Sequence, residues 1–230
     1  DRMDVYYKYA VKLISSGNAY VCHCSPEDFR EHVKNKKDCP CRNKSIEKNI
    51  EGWKKMISSD KNENYKPGDV ILRFKTPEFE QGMKNKNPAM RDFPLARINE
   101  TKHPRQGNKY RVWPLMNLAV STDDIEMGMT HIIRGKDHRD NAKRQEMIFS
   151  VLNKKYPWTG FLGRYHFKGM VLSTSKFRKE IEEGKYSGWD DPQLPTIQSL
   201  KKKYRPEAFW KMAAHIGLSE VDKTMDKKDF

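Results

Sequence analysis

The chain opens with apolar residues at helical intervals. Val5, Tyr6, Tyr9, Ala10 and Leu13 fall on one face and Ser16-Gly17 supplies a stop, so the opening is predicted as one helix. A short apolar strand, 19–22, follows. From 25 to 60 the pattern is polar and helical, with Ser25 as cap and Pro26 in the first helical position. "VILRFK", residues 70–75, has the composition of a buried strand. Residues 76–109 are rich in Pro, Gly, Asn and charge with one apolar patch near 93–98, and read as an excursion and hairpin outside the core.

The pattern changes at Tyr110. "YRVWPLMNLAVSTDD" and "MTHIIRG" are apolar segments ending in polar residues, and "DHRDNAKRQEMIFSVLNK" then sets Met147, Ile148, Val151 and Leu152 on one helical face. Strand, polar turn, helix is the unit of a parallel α/β sheet, whose ligands sit beyond the carboxyl ends of the strands. On this reading Asp123, Asp124, Arg134 and Asp137 stand at such ends. After "YPWTGF" a hairpin is expected to turn at Lys168-Gly169. A final helix starts at Pro206, uses Phe209, Met212, Ala213 and Ile216, and stops at Gly217. No internal repeat or low-complexity tract interrupts the sequence.

Charge narrows the partners. The 45 Lys and Arg exceed the 31 Asp and Glu, giving +14 and a pI near 9.5. Such a field suits a polyanion, because phosphates bound by cations release their counterions. No apolar run approaches the roughly 18 to 20 residues of a membrane span, and no signal sequence opens the chain, so a cytoplasmic protein with no membrane partner is expected. The start at Asp1, without an initiating Met, suggests a piece of a longer protein.

Two stretches carry candidate chemistry. Cys22-x-Cys24 and Cys39-x-Cys41, separated by residues 25–38, can wrap one tetrahedral Zn²⁺, although C-x-C is tighter than the usual spacing. A metal-free thiol cluster and redox use are the alternatives, and His23 or His32 could stand in for one cysteine. In "GMVLSTSKFRK", residues 169–179, Ser173, Thr174 and Ser175 precede Lys176, Arg178 and Lys179. Short hydroxyls beside ammonium groups suit phosphate, though the same residues also make a plain basic turn. Arg134 is either a fork for a substrate carboxylate or the ion-pair partner of a nearby Asp. "KKKYRPE", 201–207, is a solvated start to a helix or a seat for nucleic-acid backbone. Sequences of the types G-x4-G-K-[ST], G-x-G-x-x-G, H-E-x-x-H and G-x-S-x-G are absent, so nucleotide binding through those routes is not supported.

Taken in order, "YRVWPLMNLAVSTDDIEMGMTHIIRGKDHRDNAKRQ", "VLSTSK" and "SGWDDPQLPTIQSL" resemble the catalytic core of archaeal-type glutamyl-tRNA synthetases, relatives of the glutaminyl enzymes. "YYKYAVKLISSGNAYVC" and "NPAMRDFPLARI…HPRQGNKYRVWP" resemble the inserted acceptor-end-binding domain of the same family. The resemblance implies an α/β fold, a class I Rossmann-type parallel sheet with an inserted α+β domain and a C-terminal helical stem-contact region. Its divisions would fall at 1–109, 110–160 and 161–230. It implies an ATP- and Mg²⁺-dependent ligase, acting as a monomer, that activates glutamate in the presence of tRNA and transfers it to the tRNA 3′ end. Arg134, with Met116 and Asn117, would bind the amino acid; Asp137, His138 and Leu172 would border the nucleotide; Ser173, Ser175 and Lys176 would meet the departing phosphates. Lys201, Lys202, Lys203 and Arg205 would hold the inner stem of tRNA. Val171 and Thr174 stand where the family's mobile loop carries lysines, and the family's H-x-G-H signature does not occur. A glutaminyl-tRNA synthetase, or a non-catalytic RNA-binding zinc module, is the alternative.

Overall fold

The computed structural model describes residues 2–60, 62–169 and 172–226. They divide into two units, one of residues 2–132 and 138–158, the other of 133–137 and 159–226, with the division falling inside two strands.

In the first unit, helix α1 (Met3–Ser15) buries Met3, Tyr9, Ala10, Leu13 and Ile14 along one stripe. It stops because Gly17 takes φ 72°, letting the Asn18 amide turn back to the Leu13 carbonyl. Strand β1 (Ala19–Cys22) follows. The polar helical stretch is two helices, α2 (Pro26–Asn35) and α3 (Ile46–Ile57), with the Cys39–Cys41 turn between them. Each starts on a serine whose oxygen accepts an orphan amide: Ser25 from Asp28, and Ser45 from Lys48. Gly52 brings α3 close to β1, since a Cβ there would lie 3.2 Å from the Val21 side chain.

Strand β2 (Ile71–Phe74) pairs antiparallel with β1, β3 (Pro94–Ile98) with β2, and β4 (Val112–Pro114) with β3, giving a sheet ordered β1-β2-β3-β4. The excursion expected at 76–109 therefore contains an interior strand of the sheet. Phe93, Leu95, Ala96 and Ile98 are buried, and the short strand was masked by Pro94 and the polar runs on either side. The β2–β3 register shifts between Leu72 and Arg73, the latter opposite Pro94, where proline cannot donate.

The two faces of this sheet bury different chemistry. Ala19, Val21, Leu72 and Phe74 join α1 and α3 in the main core; fully burying a side chain like Leu72 contributes about 1.5–3 kcal/mol. Tyr20 and Cys22, pointing the other way, pack with Phe29, Cys39, Cys41 and Met83. Strand β1 is thus apolar throughout because both sides are covered.

Helix α4 (Met116–Glu126) corrects a second expectation: Asp123 and Asp124 lie within a helix, not beyond a strand. α4 packs on α1 and on α5 (Arg139–Val151), so it is apolar over much of its girth, and an apolar run of that length does not by itself separate helix from strand. Asp123 accepts from the Tyr6 hydroxyl at 2.7 Å and pairs with Arg2 at 3.1 Å, and Glu126 accepts from Tyr9 at 2.7 Å. Burial first, then these carboxylates, pushes both phenols up to about 12.

Strands β5 (His131–Gly135) and β6 (Trp158–Leu162) form a two-stranded sheet. In the second unit β7 (Tyr165–Phe167) runs parallel to β8 (Lys223–Met225), so the turn at Lys168-Gly169 is present while the described partner of β7 lies far along the chain. A Cβ at Gly163 would run into the Val221 carbonyl, which fixes glycine at this crossing. Helices α6 (Thr174–Glu182), α7 (Ile197–Lys203) and α8 (Pro206–Ile216) complete the unit. Met170 and Val171, the latter at a family lysine position, lie outside the described residues.

Candidate functional site

The four cysteine sulfurs lie within 4.8 Å of one another, three of them buried and Cys24 half-buried. Four thiolates around Zn²⁺ at about 2.3 Å sit about 3.8 Å apart by tetrahedral geometry. Cys22 and Cys39, at 4.0 Å, are close to that spacing already. The short C-x-C spacing has a local cause. Cys22 sulfur accepts the backbone N–H of Cys24, and Cys39 sulfur that of Cys41, so each pair is a tight turn closed on its own first ligand. The His23 amide adds a bond to the Cys41 sulfur at 3.4 Å. His23 itself is exposed with its ring edge-on to Tyr65, and neither it nor His32 belongs to the cluster among the described residues.

Electrostatics within the cluster are uneven. Cys22 and Cys39 share a hydrogen bond at 4.0 Å; this bond and burial hold Cys22 well above the usual thiol range, while the same bond, helped by the Tyr20 hydroxyl and opposed by burial, brings Cys39 down to about 5. Burial raises Cys24 to about 11. The four sulfurs are therefore unequal, with Cys39 the one whose surroundings most favour a thiolate.

Behind the sulfurs stands a polar network that sequence reasoning missed. Arg42, next to Cys41, is 3 % exposed and Asp92 is fully buried. Arg42 Nε donates to Asp92 Oδ2 at 2.9 Å and another of its nitrogens to the Thr76 carbonyl at 2.7 Å. Asp92 also accepts the Thr76 amide at 2.8 Å and the Tyr20 hydroxyl at 2.9 Å. The one sequence sign was an arginine abutting the second cysteine pair; nothing marked Asp92, whose φ of 36° is a left-handed conformation that Asp tolerates. A cleft of about 490 Å³ opens beside Cys24, lined in part by Arg73, Arg97 and Asn99.

The residues expected at substrate fall on both units. In the first, Met116 opens α4 and is exposed, whereas Asn117 is buried and accepts from the buried Gln145 on α5 at 3.3 Å. His138 stands at the N-cap position of α5 without a side-chain cap bond, its Nδ1 3.2 Å from the side-chain Nδ2 of Asn141. In the second, Arg134 is the penultimate residue of β5 and half-buried, and Asp137 follows on an exposed turn, 3.3 Å from Arg164. Gly135 lets that turn fold back, since a Cβ there would lie 2.7 Å from the Asp137 carboxylate.

The hydroxyl-rich loop is the start of α6. Ser173 Oγ accepts the Lys176 amide at 3.3 Å, so this serine is first a helix cap, with its own proton still free to donate. Leu172, Ser175 and Lys176 are exposed beside it. Lys201, Lys202 and Lys203 form the last turn of α7, and Arg205 precedes α8. Lys202 pairs with Asp190 at 2.6 Å and Lys203 reaches the Pro192 carbonyl, leaving Lys201 and Arg205 as the exposed cations of this group whose side chains make no hydrogen bond or ion pair among the described residues.

Comparison with known proteins decides the family. Residues 1–229 match the family described as tRNA synthetases class I (E and Q), catalytic domain. The chain belongs to this family. Among its curated relatives, this synthetase domain is 47 % identical over 227 residues to the glutamate–tRNA ligase of Thermococcus onnurineus and, over the same length, to that of Pyrococcus horikoshii. These alignments cover 98 % of the chain and 38 % of each relative, so the chain spans well under half of their length. The crystal structure of the glutamate–tRNA synthetase of Elizabethkingia anophelis, 19 % identical, superposes with a TM-score of 0.50 over 95 % of this chain and 45 % of that one, a likeness of fold. The α/β class I fold expected from the sequence is thereby shown. No described helix of this synthetase domain is long and apolar enough to cross a membrane.

Proposed function

We propose that the full-length protein activates glutamate with ATP and Mg²⁺ and joins it to the 3′ end of tRNA. The observation that carries this is membership of the family together with 47 % identity to glutamate–tRNA ligases across nearly the whole chain. In this reading Arg134 faces the side-chain carboxylate of glutamate, with Met116 and Asn117 shaping the amino-acid site. Asp137, His138 and Leu172 border the nucleotide. The start of α6, with Ser173, Ser175 and Lys176, meets the phosphates as pyrophosphate leaves, a role of positioning and charge neutralisation. The region 1–109 takes the acceptor end, 110–160 is the second half of the catalytic core, and 161–230 contacts the inner stem through Lys201, Lys202, Lys203 and Arg205. The four cysteines hold one Zn²⁺. A four-thiolate zinc has no open position, so it supplies structure.

Arg134→Cys in the full-length protein tests the amino-acid assignment. Leaving a buried carboxylate without its cation costs about 3–5 kcal/mol, or roughly two to three and a half decades in kcat/KM. Glutamate activation is expected to fall by that much and glutamine activation far less. Equal losses for both amino acids would return Arg134 to a structural ion pair and reopen the glutaminyl alternative.

A further inference from the structure

Resting on the zinc assignment above, we propose that Tyr20 is the outer hydrogen-bond donor of the four-cysteine centre, its hydroxyl turning to the Cys39 sulfur when the metal is bound. Tyr20 is 1 % exposed, and its oxygen lies 2.9 Å from Asp92 Oδ2 and 3.5 Å from Cys39 Sγ. One phenolic proton thus faces two acceptors. Their needs differ. Asp92 keeps Arg42 Nε at 2.9 Å and the Thr76 amide at 2.8 Å whichever way the phenol turns. Cys39 does not have that reserve: a thiol proton shared with Cys22 or Cys24 leaves when those residues become ligands, and among the described residues the Cys41 amide and Tyr20 are the donors that stay.

Loading also raises the demand. Zn²⁺ with four thiolates carries a net charge of −2 in a pocket lined by Phe29 and Met83, and buried charge needs donors. Cys41 gains one from the His23 amide and Cys22 one from the Cys24 amide. Tyr20 is the side-chain hydroxyl that meets a ligand sulfur among the described residues, and the strand that positions it also carries Cys22 two residues on. Arg42, bonded to Asp92 and directly following Cys41, locks the far side of the same pocket. The network therefore aims a donor at the centre before the metal arrives, the part that outer partners play at other metal sites.

The test uses the full-length protein, wild type and Tyr20→Phe, which keeps the ring. Zinc affinity is read by competition with a chelator, and Co²⁺ substitution reads the sulfur-to-metal charge-transfer band. The expected result is an affinity lower by about 10- to 100-fold and a band moved to lower energy, because a sulfur lone pair without its donor is easier to oxidise. The band is recorded at saturating Co²⁺, so a weakly loading variant still reports. Site-specific fluorotyrosine at position 20, a stronger donor of the same shape, should move the band the opposite way. An unchanged band in both variants, with affinity within about twofold of wild type, overturns the role of Tyr20 while leaving the zinc site intact. Wild-type protein that binds neither metal overturns the zinc assignment and this inference with it.

Discussion

Replacing Asp92 by alanine is expected to loosen the sheet and the cysteine turn together. The carboxylate accepts three bonds, from Arg42 Nε, the Tyr20 hydroxyl and the Thr76 amide. Alanine leaves all three donors buried without that acceptor. Arg42 suffers most, because its guanidinium is 3 % exposed and its other carboxylate partners, Asp38 and Glu78, lie at 3.4 Å on the solvent side. Breaking such a pair by removing one partner typically costs about 3–5 kcal/mol. Desolvation holds the Asp92 carboxyl above its usual range although Arg42 pulls it down, so the loss comes from the stranded cation rather than from a strong attraction forgone. Hydrogen exchange reads this locally in the full-length protein. The Phe74 amide, bonded to the Phe93 carbonyl at 2.9 Å, reports opening of β2 from the segment leading into β3. Its exchange should accelerate by roughly two to three and a half decades if opening there is limited by this network. An Arg42→Met, Asp92→Ala double variant should recover part of the loss, since no unpaired charge remains. Acceleration of Phe74 below about fivefold in Asp92→Ala would refute the claim that the buried pair holds this part of the fold.

The zinc assignment calls for about one metal per chain, and for binding that strengthens with pH. Cys22 and Cys24 hold their protons above the usual thiol range and must release them to ligate, so apparent affinity should rise by at least roughly tenfold per pH unit between pH 6 and 8; a flat profile, or no metal with four titratable thiols, contradicts it. For the stem contact, Lys201→Ala with Arg205→Ala should flatten the slope of log K against log salt for tRNA by about 1.4 to 1.8, at roughly 0.7 to 0.9 per phosphate lost, while an unchanged slope moves the contact elsewhere.

What the sequence revealed follows from how local each signal is. Helix α1, strands β1 and β2, α8 and the cap at Ser25 are written in short-range patterns, and the cysteine pairs advertise themselves by spacing, whereas the cap at Ser173 reads along the chain only as a hydroxyl-rich loop. Strand β3 escaped because its five residues begin with proline and sit between polar runs, so that only its pairing on both edges identifies it as interior. Helix α4 was misread for a different reason: covered on two sides, it lost the polar face that announces a helix, and its carboxylates Asp123 and Glu126 went to tyrosines of α1 more than a hundred residues away. The Tyr20–Asp92–Arg42 network joins three segments remote in sequence, and no pattern along the chain brings them together. The residues proposed to face substrate were named through family resemblance, since Arg134 at the end of a strand and hydroxyls at the start of a helix are compatible with several chemistries.

The central claim, glutamate activation, is tested most directly by pyrophosphate exchange into ATP catalysed by the full-length protein with tRNA present, run in parallel with glutamate and with glutamine. Exchange that depends on glutamate and is far weaker with glutamine is the expected result. Exchange supported equally or better by glutamine, or none with either amino acid while tRNA still binds, would contradict it, the first in favour of a glutaminyl enzyme and the second of a non-catalytic tRNA-binding protein.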